Sequence, residues 1–306
     1  MGPNEPTPER PLERAIGDAV EYMPGVSPRA EGNSNLEAGA PGQESRLRPG
    51  GASTWTALAL FVAVVFLFLA FAPFIQGPFG LGGLVALQVL CVLVPALFYL
   101  RLLELPLRPT LNLRRPAASS LVGSLLMGSS VWYLFVVSIL PWQNRILPPS
   151  EEFLKLRESL FTVPETAAGW AFLWACAALT PAICEEVFFR GVLLHSSRVH
   201  LGTRRAIVLV SFLFALFHFN PYQLSITFLL GLLLGWLLVR TGSLLCCMAF
   251  HLANNSAVLA AAQVDEELLP LWLSLVLVAM AIGGLLLVIR APKPGDPAPS
   301  EPSPGA

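Results

Sequence analysis

Five ionisable side chains stand inside long apolar stretches of this sequence: Glu185, Glu186, Arg190, His218 and His251, with Asn255 as a polar companion. Each costs at least about 2.5–3.5 kcal/mol to place within a bilayer, which makes each a candidate for function. The chemistry that suits them is peptide hydrolysis. A glutamate in a low-dielectric pocket beside imidazoles can take a proton from water, and an Asn amide and a His N–H can donate to the oxyanion that then develops. Other proteolytic chemistries lack their residues. There is no His-Glu-x-x-His helix for zinc. The three aspartates, Asp18, Asp265 and Asp296, fall outside the apolar runs, and no serine stands in a Gly-x-Ser-x-Gly or Gly-x-Ser-Gly setting.

Spacing divides the labour. Glu186 and Arg190 are four residues apart, so they share a helix face, and the pattern predicts an ion pair that neutralises both within the membrane. Glu185 is rotated about 100° from Glu186 and needs another partner, for which the histidines are the candidates. His218 ends Phe214-Ala-Leu-Phe-His218, with Phe214 one turn earlier and placed to pack beneath the ring. A lone His on an apolar helix is more often a satisfied core residue than a catalyst; a second one, His251, favours chemistry. His251 and Asn255 again point the same way, while Asn254 lies on another face as helix–helix glue. His195 and His200 read as interfacial, and the five cysteines as packing residues.

These groups need helices to hold them. The chain is 55% hydrophobic and 13% charged, with a mean hydropathy of +0.65, far from soluble averages of about 45–50% and about 25%. A net charge of −1 excludes an overall basic nucleic-acid binder, and five cysteines without a Cys-x-x-Cys pair exclude a disulfide framework or zinc knuckle. Spans of about 20 apolar residues are expected at Thr54–Ile75, Phe79–Leu100, Pro116–Leu140, Thr166 to about Arg198, Ser243–Gln263 and Leu268–Ile289. Asn220-Pro221 divides Ala206–Val239 into two short helices, which brings the total to eight. The fold class is therefore all-α, a polytopic transmembrane bundle of about eight helices, with no internal repeat evident. A membrane-embedded domain over 53–291 is flanked by Pro/Gly-rich tails, 1–52 and 292–306, that read as disordered. Ser150 is expected to cap an amphipathic interfacial helix carrying Phe153, Leu154, Leu156, Leu160 and Phe161.

Basic residues set the orientation. Twelve Arg and Lys flank the spans on the side of the two tails, against three (Arg145, Lys155, Arg157) on the other. A multi-pass protein of the plasma or inner membrane with both termini in the cytoplasm follows. Counting from the cytoplasmic ends, Glu185 lies 13 residues before Arg198, His218 lies 13 after Arg205, and His251 and Asn255 lie 11 and 15 after Arg240. At 1.5 Å per residue the depths are roughly 20, 20, 17 and 22 Å. Four polar side chains from three helices fall in one layer.

The motifs Glu185-Glu186-Val-Phe-Phe-Arg190, Phe214-x-x-x-His218 and His251-x-x-x-Asn255 resemble those of the CAAX-protease and bacteriocin-processing (CPBP, or Abi) family of intramembrane endopeptidases. They occupy residues 181–256, about a quarter of the chain. The resemblance implies a CAAX-prenyl-protease-like enzyme acting on a membrane-associated protein or peptide, with Glu185 activating water, His218, His251 and Asn255 completing the centre, and Arg190 as structural partner of Glu186. Glu185, His218 and His251 would also suffice as three zinc ligands with water in the fourth position. A metal-free glutamate mechanism is preferred, because no carboxylate other than Glu186 is evident behind either imidazole. Two readings from other classes remain: a non-catalytic scaffold or immunity factor on the same fold, and a transporter.

Overall fold

The computed structural model describes residues 52–160, 164–263 and 270–294. The expectations for the two tails, up to residue 51 and from residue 295, lie outside those residues, as do Phe161 and Asp265. Among the described residues every regular element is helical, as a backbone that must satisfy itself in hydrocarbon requires. The crossings are α1 (Thr54–Gln76), α2 (Pro78–Leu102), α3 (Ala118–Ser138), α5 (Ala167–Phe217), α6 (Pro221–Thr241), α7 (Leu244–Ala261) and α8 (Leu271–Arg290). A short helix, α4 (Glu151–Leu160), lies between α3 and α5. The chain is an all-helical, multi-pass membrane protein. Its outer faces present Trp55, Phe66, Phe74 and Phe79, an apolar exterior of the kind a bilayer covers.

Seven segments and eight expected spans agree once α5 is divided. This 51-residue helix bends at Gly202, whose φ of 71° and ψ of 165° belong to a region essentially reserved for glycine. The bend separates a first limb, residues 167–201, from a second, residues 203–217. The second limb ends at His218, and the break at Asn220-Pro221 is built as expected. Phe219 adopts a φ of 48°, and the Asn220 side chain accepts a hydrogen bond from the Tyr222 N–H at 3.0 Å, starting α6. The helix expected after Ser150 also forms: Ser150 Oγ accepts from the Phe153 N–H at 3.2 Å, and the Phe153 ring lies 4.5 Å from that of Tyr222. That contact ties α4 to the turn after His218.

Small residues let the helices approach. On α3, a Cβ at Gly123 would come within 2.7 Å of the Gly284 carbonyl oxygen of α8. A Cβ at Gly128 would fall against the Phe250 carbonyl of α7, 2.9 Å from its carbon and 3.0 Å from Ala253 Cβ. α3 is thus wedged against α7 and α8. Arg240, buried at the end of α6, donates to the carbonyls of Ile289 and Ala291 at the close of α8, satisfying acceptors that a helix end leaves free.

Among the described residues three stretches are π-helical rather than α-helical: Gln88–Leu93 in α2, and Ala175–Leu179 and Glu186–Leu194 in α5. Within them the Val94 N–H bonds to the Val89 carbonyl and the Thr180 N–H to that of Ala175, each five residues back. Such wide turns are rare and frequently mark functional sites.

Candidate active site

Glu185 closes the α-helical turn Thr180–Glu185, and Glu186 opens the π-helical stretch that follows. Both meet His251 of α7. Its Nδ1 lies 2.8 Å from Glu186 Oε1, and its Nε2 lies 4.0 Å from Glu185 Oε2. A carboxylate oxygen accepts, so Nδ1 carries the proton that joins it to Glu186.

The Glu186–Arg190 pair forms as the spacing predicts, with Arg190 Nη1 3.0 Å from the same Glu186 Oε1. Both side chains are buried, and an ion at such depth needs every donor used. Arg190 therefore also donates from Nη2 to the Gly231 carbonyl at 3.4 Å and lies 4.3 Å over the Phe214 ring, a cation–π contact strengthened by the absence of water. Phe214 does more than pack beneath His218. Its ring meets the His218 imidazole edge-on at 4.7 Å and that of His251 at 6.0 Å, so one aromatic ring contacts the guanidinium and both imidazoles.

His218 Nδ1 is 2.8 Å from the Phe214 carbonyl oxygen. The carbonyl can only accept, which assigns the proton to Nδ1 and leaves Nε2 of the neutral ring as an acceptor. Asn255, one turn beyond His251, donates from Nδ2 to the Ala177 carbonyl at 3.4 Å and accepts from Asn254 Nδ2 at 3.3 Å. Hydrogen bonds and ion pairs thus join Glu186, Arg190 and His251 directly, with Glu185 facing His251. His218 is reached through Phe214, and Asn255 through the backbone of α5.

One participant was missing from the sequence reading. Gln88, the first residue of the π-helical stretch in α2, donates from Nε2 to Glu185 Oε1 at 2.7 Å. The partner sought for Glu185 among the histidines is thus shared with a neutral amide. Its signal was present: Gln88 lies 13 residues before Arg101, a depth of roughly 20 Å at 1.5 Å per residue, in the same layer as the others. Being uncharged, its amide does not stand out from the apolar span around it.

Residues 167–257 match the family model of the type II CAAX prenyl endopeptidases, Rce1-like. Over that stretch the chain is similar to this family. No curated protein and no solved structure matches it. The Rce1-like segment contains all six residues singled out by the motifs, whereas Gln88 and the α3 wedge come from outside it.

A zinc ion would need three donors converging on one point. Among the described residues no group of three His, Cys, Asp or Glu side chains is arranged to hold a metal ion. Glu185 Oε2 and His251 Nε2 face each other, while His218, its Nδ1 on the Phe214 carbonyl and its Nε2 free, makes no hydrogen bond or ion pair with either of them. As placed, these side chains are not gathered into a three-ligand centre. What they offer is an unshared carboxylate oxygen, Glu185 Oε2, buried without a hydrogen-bond partner, opposite an imidazole nitrogen.

Proposed function

We propose that the protein is an intramembrane endopeptidase in which Glu185 activates water without a metal. The observation that carries the reading is the 4.0 Å separation of Glu185 Oε2 and His251 Nε2. Two hydrogen bonds of about 2.8 Å meeting at one water oxygen span about 4–5 Å, so a single water fits between two acceptors. Held that way, its two protons point at the enzyme and a lone pair is left to attack.

The step balances through Glu185. The water oxygen bonds to the scissile carbonyl carbon while Glu185 Oε2 takes a proton, and the carbonyl becomes an oxyanion. Asn255 uses one N–H on Ala177 and has a second for that oxyanion. His218 donates to it from Nε2 only as the imidazolium, since its Nδ1–H is committed to Phe214. Protonated Glu185 then returns its proton to the leaving amine as the C–N bond breaks. Glu186 acts through His251, fixing the tautomer and the plane of the ring. The catalytic unit is the embedded domain over 53–291, and the twelve-to-three basic bias supports cytoplasmic termini in a plasma or inner membrane.

The substrate class is a membrane-associated protein or peptide. Membrane proteomes of cells carrying the wild type and Glu185→Ala test the reading: a protein that persists uncut only in the variant is the expected result. Identical proteomes would favour a non-catalytic scaffold.

A further inference from the structure

We infer that Gln88 is a positioning residue that holds the Glu185 carboxylate so that Oε2, and not Oε1, faces His251; this rests on the hydrolytic role proposed for Glu185.

Three observations lead there. First, the amide is the sole hydrogen-bond donor to the Glu185 side chain among the described residues, at 2.7 Å to Oε1. The guanidinium that would otherwise compensate this charge is committed to Glu186, Gly231 and the Phe214 ring. A hydrogen bond to an ionised group is among the stronger ones, and here it fixes one oxygen and thereby the plane of the whole carboxylate. Second, Gln88 is buried, yet its own Oε1 has no partner. A glutamine kept for packing would have both ends satisfied or would be replaced by an apolar residue of the same length. Gln88 is satisfied only toward Glu185. Third, the residue opens a π-helical stretch on α2 while Glu186 opens another on α5. Local widening of both helices brackets this one contact.

The consequence is geometric. With Oε1 held, rotation of the carboxylate is blocked and the 4.0 Å gap to His251 is maintained. Without the amide, the carboxylate is free to turn, and both of its oxygens compete for the imidazole side. A positioning role of this kind lowers turnover without weakening substrate binding.

The full chain in detergent tests this with Gln88→Met, which keeps length and removes the donor, and Gln88→Asn, which keeps the amide but is one methylene too short to reach. The infrared carboxylate band that vanishes in Glu185→Gln identifies Glu185. It is expected to shift in both Gln88 variants while thermal midpoints stay at the wild-type value. With a fluorogenic farnesylated CAAX peptide as probe, kcat is expected to fall about 10- to 100-fold, the worth of one charge-assisted hydrogen bond, with KM held within about twofold. An unchanged band in both variants overturns the inference, and so does a loss of folding in both, which would make Gln88 structural. The two readings fail separately. If Glu185→Gln cleaves the probe as the wild type does, the hydrolytic role falls, while the infrared comparison still judges Gln88.

Discussion

Gly128 is where the bundle holds the site most tightly, and Gly128→Ala tests how. A methyl group there sits 2.9 Å from the Phe250 carbonyl carbon and 3.0 Å from Ala253 Cβ, where carbon atoms rest at about 3.5–4.0 Å. Both obstacles are fixed parts of α7, not the ends of flexible side chains, so α3 and α7 must part by about 0.8 Å, the difference between those separations. Overpacking of this kind costs about 1–3 kcal/mol. The next residue after Phe250 is His251, and a displacement near 1 Å at a reacting group costs about 10²-fold in rate. Gly283→Ala is the control: a Cβ at that position meets nothing within 4 Å, and alanine is the better helix former by about 1 kcal/mol. The five free cysteines are all buried, so a thiol-reactive dye follows unfolding on heating. Gly128→Ala is expected to unfold several degrees below the wild type, and Gly283→Ala at or above it. Equal midpoints for the two variants would refute the argument that α3 fixes α7 by backbone contact.

Glu186→Ala and Arg190→Ala each strand a buried partner, at about 3–5 kcal/mol; both are expected to lower protein level and thermal stability, whereas Glu185→Gln, which can still accept from Gln88, keeps the fold. Equal losses in all three would end the distinction between base and ion pair. Reporter fusions at Gly77, Ser150 and Asp265 are expected to read outside the cytoplasm, and a cytoplasmic result at two of them overturns the orientation.

What the sequence made legible followed from composition. Uncharged spans such as 118–138, the break at Asn220-Pro221 and the Ser150 cap are written in residues whose physical meaning is local. Depth counting worked for Glu185 and His251 because helices convert residue number into distance. What was not legible depends on rotation. Helices that are apolar all round carry no periodicity from which a π-helical turn can be read, and the spacing that pairs Glu186 with Arg190 does not show that His251 reaches the same oxygen. The Arg-rich segment around Gly202 read as a loop; a single glycine bends the helix there instead. Gln88 was overlooked because an amide brings no charge to an apolar span.

Chain order adds a consequence for biosynthesis. Gln88 precedes Glu185 by 97 residues and so enters the membrane first, already available when the first glutamate arrives. Glu186 finds Arg190 within its own helix, four residues on, as soon as that turn forms. Only His251, 65 residues after Glu186, comes late, and it enters as an imidazole rather than as an obligatory ion. A nascent chain released from the ribosome as far as Phe217 therefore contains a partner for each buried carboxylate, and insertion can proceed helix by helix without a stranded charge waiting for a residue not yet made.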